Sequence, residues 1–335
     1  MPPWKTIAEL IRKNSSFLVS SHVQPDGDAI GSMTALGFIL QEMGKEFTLL
    51  NASGLPSLYS WVELPAPLLT SCDQAADQVA LVLDCGDDSR LGGARQTVMS
   101  AREVVNIDHH QGNTEFGSLN WVEPTRSSVG EMIGQLAKEL EIELSGPLGE
   151  AVYLAMVTDT GFFTYSNTQA GTLQLAAEII RSGLDLNRLN RRMQRQWSLN
   201  KVRLHGRAMQ DVRLRAQGLV GVIGASREML ETTGTSAEDC EGLVNYVRSI
   251  RGVVVAVSLR QDDRATVKFS LRSWGEVDVQ AVASALGGGG HRNAAGGVLE
   301  NVSMPEAEDA VVAAVSLGLE QSGFQEMQVG SIHES

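Results

Sequence analysis

The sequence predicts an α/β protein of two domains: a first domain with a mainly parallel sheet flanked by helices, a helical linker, and a smaller α+β domain. Three observations carry that prediction. Over the first 180 residues short β-rich runs alternate with amphipathic helical stretches, the pattern of a parallel sheet whose crossovers are helices. After about Val212 the alternation gives way to strand-like runs arranged around helices. The length, 335 residues, exceeds what one core needs and suits two. The expected divisions are 1–185 for the first domain, 186–211 for a basic helical linker, 212–325 for the second domain and 326–335 for a loose tail.

Taken in order, a helix near residues 4–13 precedes the strand SFLVS at 16–20, which runs straight into His22. A helix from about Asp28 to Met43 follows, then strands EFTLL, VALVLD (79–84) and EVVNI (103–107). The last two end in Asp84 and in Asp108-His109-His110, and in parallel α/β sheets the carboxyl ends of strands open onto the crevice where ligands bind. SSVGEMIGQLAKELEI and GPLGEAVYLAMVTDTG read as helices, the second delivering Asp159 near its end, and LQLAAEIIRSG reads as another that stops at Gly183. The stretch from Arg181 to Arg215 reads as one or two helices. Beyond it, strands at 212–223, 253–260 and 265–272 surround a helix at 236–249, with further helices at 277–286 and 304–322.

Hydrophobic residues make up 43% and charged residues 20%, which suits a globular chain able to bury sizeable cores. The start, MPPWKTIAELIRKN, lacks the apolar stretch of a signal peptide, and no run approaches the ~18 apolar residues of a membrane span, so a cytoplasmic protein is expected. Cys72, Cys85 and Cys240 are isolated, which fits a reducing compartment and neither a disulfide framework nor a zinc site. Cys85 reads as a small buried apolar residue. The net charge of -13 argues against a duplex-DNA coat, because phosphate binding needs clustered Lys and Arg. Locally the sign reverses: from Arg181 to Arg215 ten Lys or Arg face two acids, a net +8 that leaves -21 for the remainder. That stretch reads equally as a solvated helical face or as an attractor for an anionic substrate.

His22, Asp26 and Asp28 share the stretch SHVQPDGDAIGS, where Pro25 and Gly27 favour a tight turn presenting all three to one volume. Singly, each candidate has a plain explanation: Asp28 as a helix N-cap, Asp84 as the start of a turn, His109 as a hydrogen-bonded core histidine, Asp159 as a helix-terminal cap. Together with Asp26 and His22 they suggest a cluster of divalent cations. Four Asp and two His without a thiolate suit Mn2+ best, ahead of Mg2+, Fe2+, Co2+ or Zn2+. So many anionic donors exceed the need of one ion, and two ions about 3.5–4 Å apart clamp the attacking and leaving oxygens of a phosphoryl displacement. A phosphomonoester or phosphodiester fits such a site better than an amide. Further on, Gly287 to Gly290 followed by His291 and Arg292 let the backbone approach an anion with N–H donors, or else form a tight interdomain turn. No Gly-Lys-Ser/Thr follows, so this is not a Walker loop.

These segments resemble the DHH phosphoesterase superfamily: HxxPDGDAxGS, a strand-terminal Asp, the tripeptide Asp108-His109-His110, and a final Asp in TDTG. GGGGHRNAAGG at 287–297 resembles the signature of the DHHA1 domain that accompanies it. FGSLNWVEP, EGLVNYVRSI and VKFSLRS are similar to the nanoRNase group, bifunctional oligoribonucleases and 3',5'-bisphosphate nucleotide phosphatases. The resemblance implies two Mn2+ ions, with Mg2+ or Co2+ as substitutes, one held by His22, Asp26 and Asp84, the other by Asp28, Asp84, His109 and Asp159. It implies that His110 touches the phosphate or assists the leaving oxygen, while Asp108 orients a neighbouring histidine. Gly288, Gly289, Gly290 and His291, with Arg272 and Ser270, would bind the substrate end that is not cut, Arg272 through its bidentate fork.

The implied activity is hydrolysis of very short single-stranded RNA to mononucleotides, and of 3'-phosphoadenosine 5'-phosphate to AMP. Linear or cyclic dinucleotides (pApA, pGpG, cyclic di-AMP) are the alternative substrates. A nucleotide- or RNA-binding regulator without catalysis is the alternative of another class, opposed by the full set of ligands. No membrane partner is expected, and a homodimer is left open. Two departures from the group's pattern, Thr164 where a basic residue is frequent and Arg126 where a small one is expected, suggest that one phosphate contact has moved.

Overall fold

The computed structural model describes residues 1–73, 75–194, 197–275 and 277–324, with the side chain of His291 excepted. Arg195 of the basic stretch and the expected tail at 326–335 lie outside the described residues. Two compact units divide between residues 196 and 197.

The first unit runs α1 (Pro3–Lys13), β1 (Ser16–Ser21), α2 (Gly27–Glu42), β2 (Glu46–Leu50), β3 (Leu68–Leu69), β4 (Val79–Leu83), α3 (Arg95–Met99), β5 (Glu103–Asp108), β6 (Leu119–Val122), α4 (Val129–Glu139), α5 (Gly146–Asp159), α6 (Ala170–Arg181) and α7 (Leu186–Gln194). Its six strands are all parallel, in the order β3-β2-β1-β4-β5-β6. The chain builds from β1 outward to β2 and β3, then returns to β4 on the other side of β1. The order therefore reverses between β1 and β4, with Ser21 beside Leu83, and a crevice opens at the carboxyl ends there.

β1 and β4 read as continuous apolar runs because both faces of the sheet are covered. On one face Ile7 of α1, Leu36 of α2, Ile133 of α4 and Val152 of α5 join Phe17, Val19 and Leu81 in one core. On the other, Leu91, Ala94 and Val98 form a thinner layer against Leu18, Ala80 and Val82. The helices touch closely where glycines stand: a Cβ on Gly31 would lie 2.7 Å from the Ala151 carbonyl, and one on Gly130 2.2 Å from the Ala155 Cβ. This contact brings the first turn of α2 to the start of α4 and the end of α5.

The second unit runs α8 (Leu199–Gln210), β7 (Arg213–Arg215), β8 (Val220–Ala225), α9 (Arg227–Thr233), α10 (Leu243–Arg248), β9 (Val255–Gln261), β10 (Thr266–Ser273), α11 (Val279–Ala285), β11 (Gly289–His291), β12 (Ala294–Glu300) and α12 (Met304–Gln321). Its strand order is β11-β12-β10-β9-β8-β7, antiparallel except for the pair β8 and β9. Val267, Phe269 and Leu271 of β10 pack under α11 and α12. On the opposite face α8 and α10 cover Ile223 and Ala256 of β8 and β9, while Lys268 of β10 is exposed and Ser270 and Arg272 are half-buried.

Three expectations are corrected here. The strand at 212–223 is two strands parted by a turn with Gln217 at φ 56°. The helix at 236–249 breaks at Gly242, whose φ of 90° stops the opening 3-10 turn and starts α10. The glycine-rich loop is in part an edge strand, β11, paired with β12. In the basic stretch, Leu189 is buried in the first core, and Leu204 and Ala208 in the second unit. Arg188 and Arg192 share Glu150 at 2.6 and 3.3 Å, and Arg213 and Arg215 share the buried Glu308 at 2.7 and 2.9 Å. Four of the ten cations thus share acids distant in sequence, which gives those four a structural role. Among the described residues no helix is long and apolar enough to cross a membrane.

Candidate metal centre

At the β1/β4 switch the chain concentrates its buried charge. Asp84 follows β4 directly and takes φ 53°, a left-handed conformation that costs an L-residue about 1 kcal/mol. Its amide donates to the Ile107 carbonyl at 3.0 Å, fixing the turn against β5. Its carboxylate is 2% exposed. His22 follows β1, where Asn51 Nδ2 donates to its carbonyl at 2.8 Å. Its Nδ1 stands 2.8 Å from the Val23 carbonyl, which leaves Nε2 facing Asp84 Oδ2 at 3.4 Å and Asp26 Oδ1 at 3.9 Å.

The turn after His22 places its two carboxylates differently. Asp26, not Asp28, is the N-cap of α2: its Oδ1 accepts from the amides of Asp28 and Ala29, both at 3.1 Å. Asp28 reaches instead to the start of α4, where Val129 N donates to Oδ2 at 2.7 Å and Gly130 N to Oδ1 at 2.9 Å, with Ser32 Oγ adding a third bond. The amino end of a helix favours such a carboxylate. Asp28 is 1% exposed.

His109 leaves β5 with Nδ1 3.2 Å from the Arg126 carbonyl. Its Nε2 lies 3.8 Å from Asp28 Oδ2, 3.7 Å from Asp84 Oδ1 and 3.6 Å from Asp159 Oδ2. Asp159, the last residue of α5, is steadied by Asn167, whose Nδ2 donates to both its carbonyl and Oδ2 at 3.2 Å. His110 Nδ1 is committed to Asp108 Oδ1 at 2.7 Å. Asp108 is fully buried and also accepts from Asn113 Nδ2 at 2.6 Å.

Three donor sets result, each with ligand atoms within 4.8 Å of one another: His22, Asp26 and Asp84; Asp28, His109 and Asp159; and Asp84, His109 and His110. Burial opposes ionisation of Asp84, yet the His22 contact and the charges of His110 and His109 lower it to about 2. Burial and the neighbouring Asp84 and Asp159 push Asp28 well up. Asp159 is pushed up to about 6 by burial, against the pull of His109 and with repulsion from Asp84 and Asp26. Burial disfavours a charged His110, but its bond to Asp108 and the charge of Asp84 lift it to about 9.

Divalent cations fit these residues on two grounds. Asp84 Oδ1 is buried and has no hydrogen-bond partner among the described residues, the unmet cost that a cation removes. The donors are carboxylate oxygens and imidazole nitrogens with no thiolate, a set for hard or borderline divalent ions. Cys85 is buried and its thiol is pushed up to about 12, chiefly by burial, so it remains a neutral thiol there.

The remaining candidates lie in the second unit. Strand register sets Arg272, Ala294 and His291 in one row and Ser270, Gly296 and Gly289 in another two residues along. Arg272 Nη1 donates to the Leu271 carbonyl at 2.9 Å. A Cβ on Gly288 would lie 2.3 Å from the Gly296 carbonyl and one on Gly290 2.6 Å from the Ala294 carbonyl, so both serve strand packing, whereas Gly289 borders open space.

Sequence reasoning missed the supporting groups. Asn113 and Asn167 hold Asp108 and Asp159, and the only signal was their position in short turns after the motifs. Arg126, which stands where a small residue was expected, is tied to Glu123 and Glu131 at 2.9 and 3.0 Å, and its carbonyl orients His109. Arg90 had no motif to mark it. Its charge opposes protonation of His110, and its carbonyl accepts from Val23 N at 2.7 Å.

Residues 16–156 match the DHH family, N-terminal domain, and residues 219–320 match the DHHA1 domain. The chain is 32% identical to the bifunctional oligoribonuclease and PAP phosphatase NrnA of Thermus thermophilus, covering 96% of this chain and 95% of that one. It is 33% identical to the protein of the same name from Bacillus subtilis, over 86% and 91% of the two chains. A crystal structure of an exopolyphosphatase-related protein from Bacteroides fragilis superposes with a TM-score of 0.89 at 25% identity, covering 96% of this chain and 97% of the other.

Proposed function

The chain belongs to the DHH family of phosphoesterases, with a DHHA1 domain in its second unit, and from that premise we propose that it hydrolyses very short oligoribonucleotides to mononucleotides and 3'-phosphoadenosine 5'-phosphate to AMP. The observation that carries the chemistry is Asp84, a buried carboxylate with one oxygen that lacks a hydrogen bond, between two sets of donors. His22, Asp26 and Asp84 would hold one divalent cation, and Asp28, Asp84, His109 and Asp159 a second. The donor set favours Mn2+, with Mg2+ or Co2+ as substitutes. When bound, such a pair supplies positive charge to the reacting phosphoryl group and makes water a stronger nucleophile.

The chain's own residues do the rest. Backbone carbonyls beside Nδ1 of His22 and His109 fix both rings so that Nε2 faces the carboxylates. Asp108 keeps a proton on Nδ1 of His110, which turns Nε2 to a phosphoryl oxygen or to the leaving oxygen. In the second unit, Arg272, Ser270, His291 and the amides of Gly288 to Gly290 would bind the nucleotide that is not cut, and that fixed end favours short chains.

A divalent-metal substrate panel tests the reading. Chains of roughly two to five ribonucleotides should turn over faster than one of roughly twenty, and 3'-phosphoadenosine 5'-phosphate should release AMP. Equal rates on short and long RNA would overturn the proposal. Faster turnover of pApA, pGpG or cyclic di-AMP than of short RNA would reassign the substrate within the family.

A further inference from the structure

Beyond the phosphate contacts, we propose that Trp274 is the platform on which a substrate nucleobase stacks in the second unit, an inference that rests on the nucleotide substrate proposed above. Strand alternation defines the face concerned. Lys268, Ser270 and Arg272 stand on the same face of β10 as Ala256, with which Arg272 pairs directly. α10 covers Ala256 on that face, whereas Lys268 is exposed and Val298, its partner on β12, is 47% exposed. The face past α10 is therefore an open, polar shelf edged by Gly289, beside which there is open space.

Trp274 stands at the α10 end of this shelf, two residues beyond Arg272. The residue between them, Ser273, is fully buried and bonded through its amide to the Asn293 carbonyl and through its hydroxyl to the Val277 carbonyl. The indole is fixed as well: Nε1 donates to the Arg248 carbonyl at 3.3 Å, and the Arg248 guanidinium lies 4.0 Å from the ring centroid. Arg248 occupies one face of the ring, yet Trp274 remains 59% exposed, so the opposite face is presented to solvent. A large aromatic ring held rigid and wet beside a phosphate-binding arginine matches the way proteins take up single-stranded nucleotides, with a base on the ring and the backbone on a cation. Stacking tolerates every base, so this contact adds affinity for nucleotides without selecting a sequence.

The test compares wild type, W274F and W274A on a diribonucleotide and on its analogue lacking the base at the uncut end. Wild type should prefer the intact compound, and W274A should raise its KM by about tenfold or more while leaving kcat and the KM of the abasic analogue unchanged. W274F should recover most of the lost affinity. Equal KM for wild type and W274A on the intact compound would overturn the inference, as would an equal loss on both compounds, which would mean that the ring only supports the fold. Failure of the wild type to cut the diribonucleotide would overturn the substrate reading, and this inference with it.

Discussion

The candidate metal centre of the first unit and the open shelf of the second both gather polar groups, but they support them differently. At the centre Asp28, Asp84 and Asp108 are at most 2% exposed, each is fixed by amides, imidazoles or an asparagine, and like charges are crowded together. On the shelf Lys268, Ser270 and Arg272 alternate with the buried Val267, Phe269 and Leu271 along one strand, and they are exposed or half-buried. Buried charges interact strongly and tolerate no missing partner. Groups held by strand alternation can be removed singly at limited cost. The first arrangement suits reaction, where preorganised electrostatics count most, and the second suits selection among substrates.

Asp84→Asn should separate the two most sharply. Hydrolysis of every substrate should fall by about a thousandfold or more, because one change touches both cation sets, while nucleotide binding by calorimetry stays within twofold. Loss of binding as well would mean that the two regions are not independent. His110→Ala should lower kcat by about a hundredfold or more and leave divalent-metal affinity intact, and retained activity with lost metal would exchange its role for that of a ligand. Arg272→Ala should raise KM for short RNA by about tenfold to a hundredfold with kcat preserved, and a fall in kcat alone would move it into the reaction.

The smallest expected effect is on stability. Without metal, Asp159 is raised from 3.8 to about 6 and Asp28 is raised as well, so the folded chain binds more protons than the unfolded one across that range and loses stability as pH rises through it. His22 and His110 are raised above 6.5, His110 to about 9. Their contribution is full below 6.5 and is lost as pH climbs through the folded values. Asp84, lowered to about 2, acts in the opposite sense only below its ordinary 3.8. The melting transition of the metal-free first unit should therefore fall by roughly 5 °C between pH 5 and 9, a slope that saturating divalent metal reverses or flattens. A metal-free transition rising with pH would contradict the crowding described at the centre.

Much of this was legible in the chain itself. The central strands announce themselves as apolar runs ending in Asp84 and Asp108, and the donors recur at those ends. The reversal of strand order that brings His22 beside Asp84 was not legible, because pairing is a property of the whole sheet. Nor was the reach of Asp28 to α4, since an Asp at the start of a helix looks the same whether it caps that helix or another. Glycine concealed β11, two of whose three residues offer no side chain to show strand alternation, Gly290 packing directly on the Ala294 carbonyl. The ion pairs of the basic stretch were hidden for a related reason: a charge count along the chain cannot see Glu150 or Glu308 folding back onto it.

The reversal of strand order has a kinetic meaning. The donors run from His22 to Asp159, and those at strand ends meet only once β1, from the beginning of the chain, lies beside β4 and β4 beside β5. Contacts so distant in sequence form slowly. A cation held there, as proposed, would act as a clasp on the finished topology: it would bind the folded unit in preference to the unfolded chain, so the stability of that unit should rise with the free metal around it.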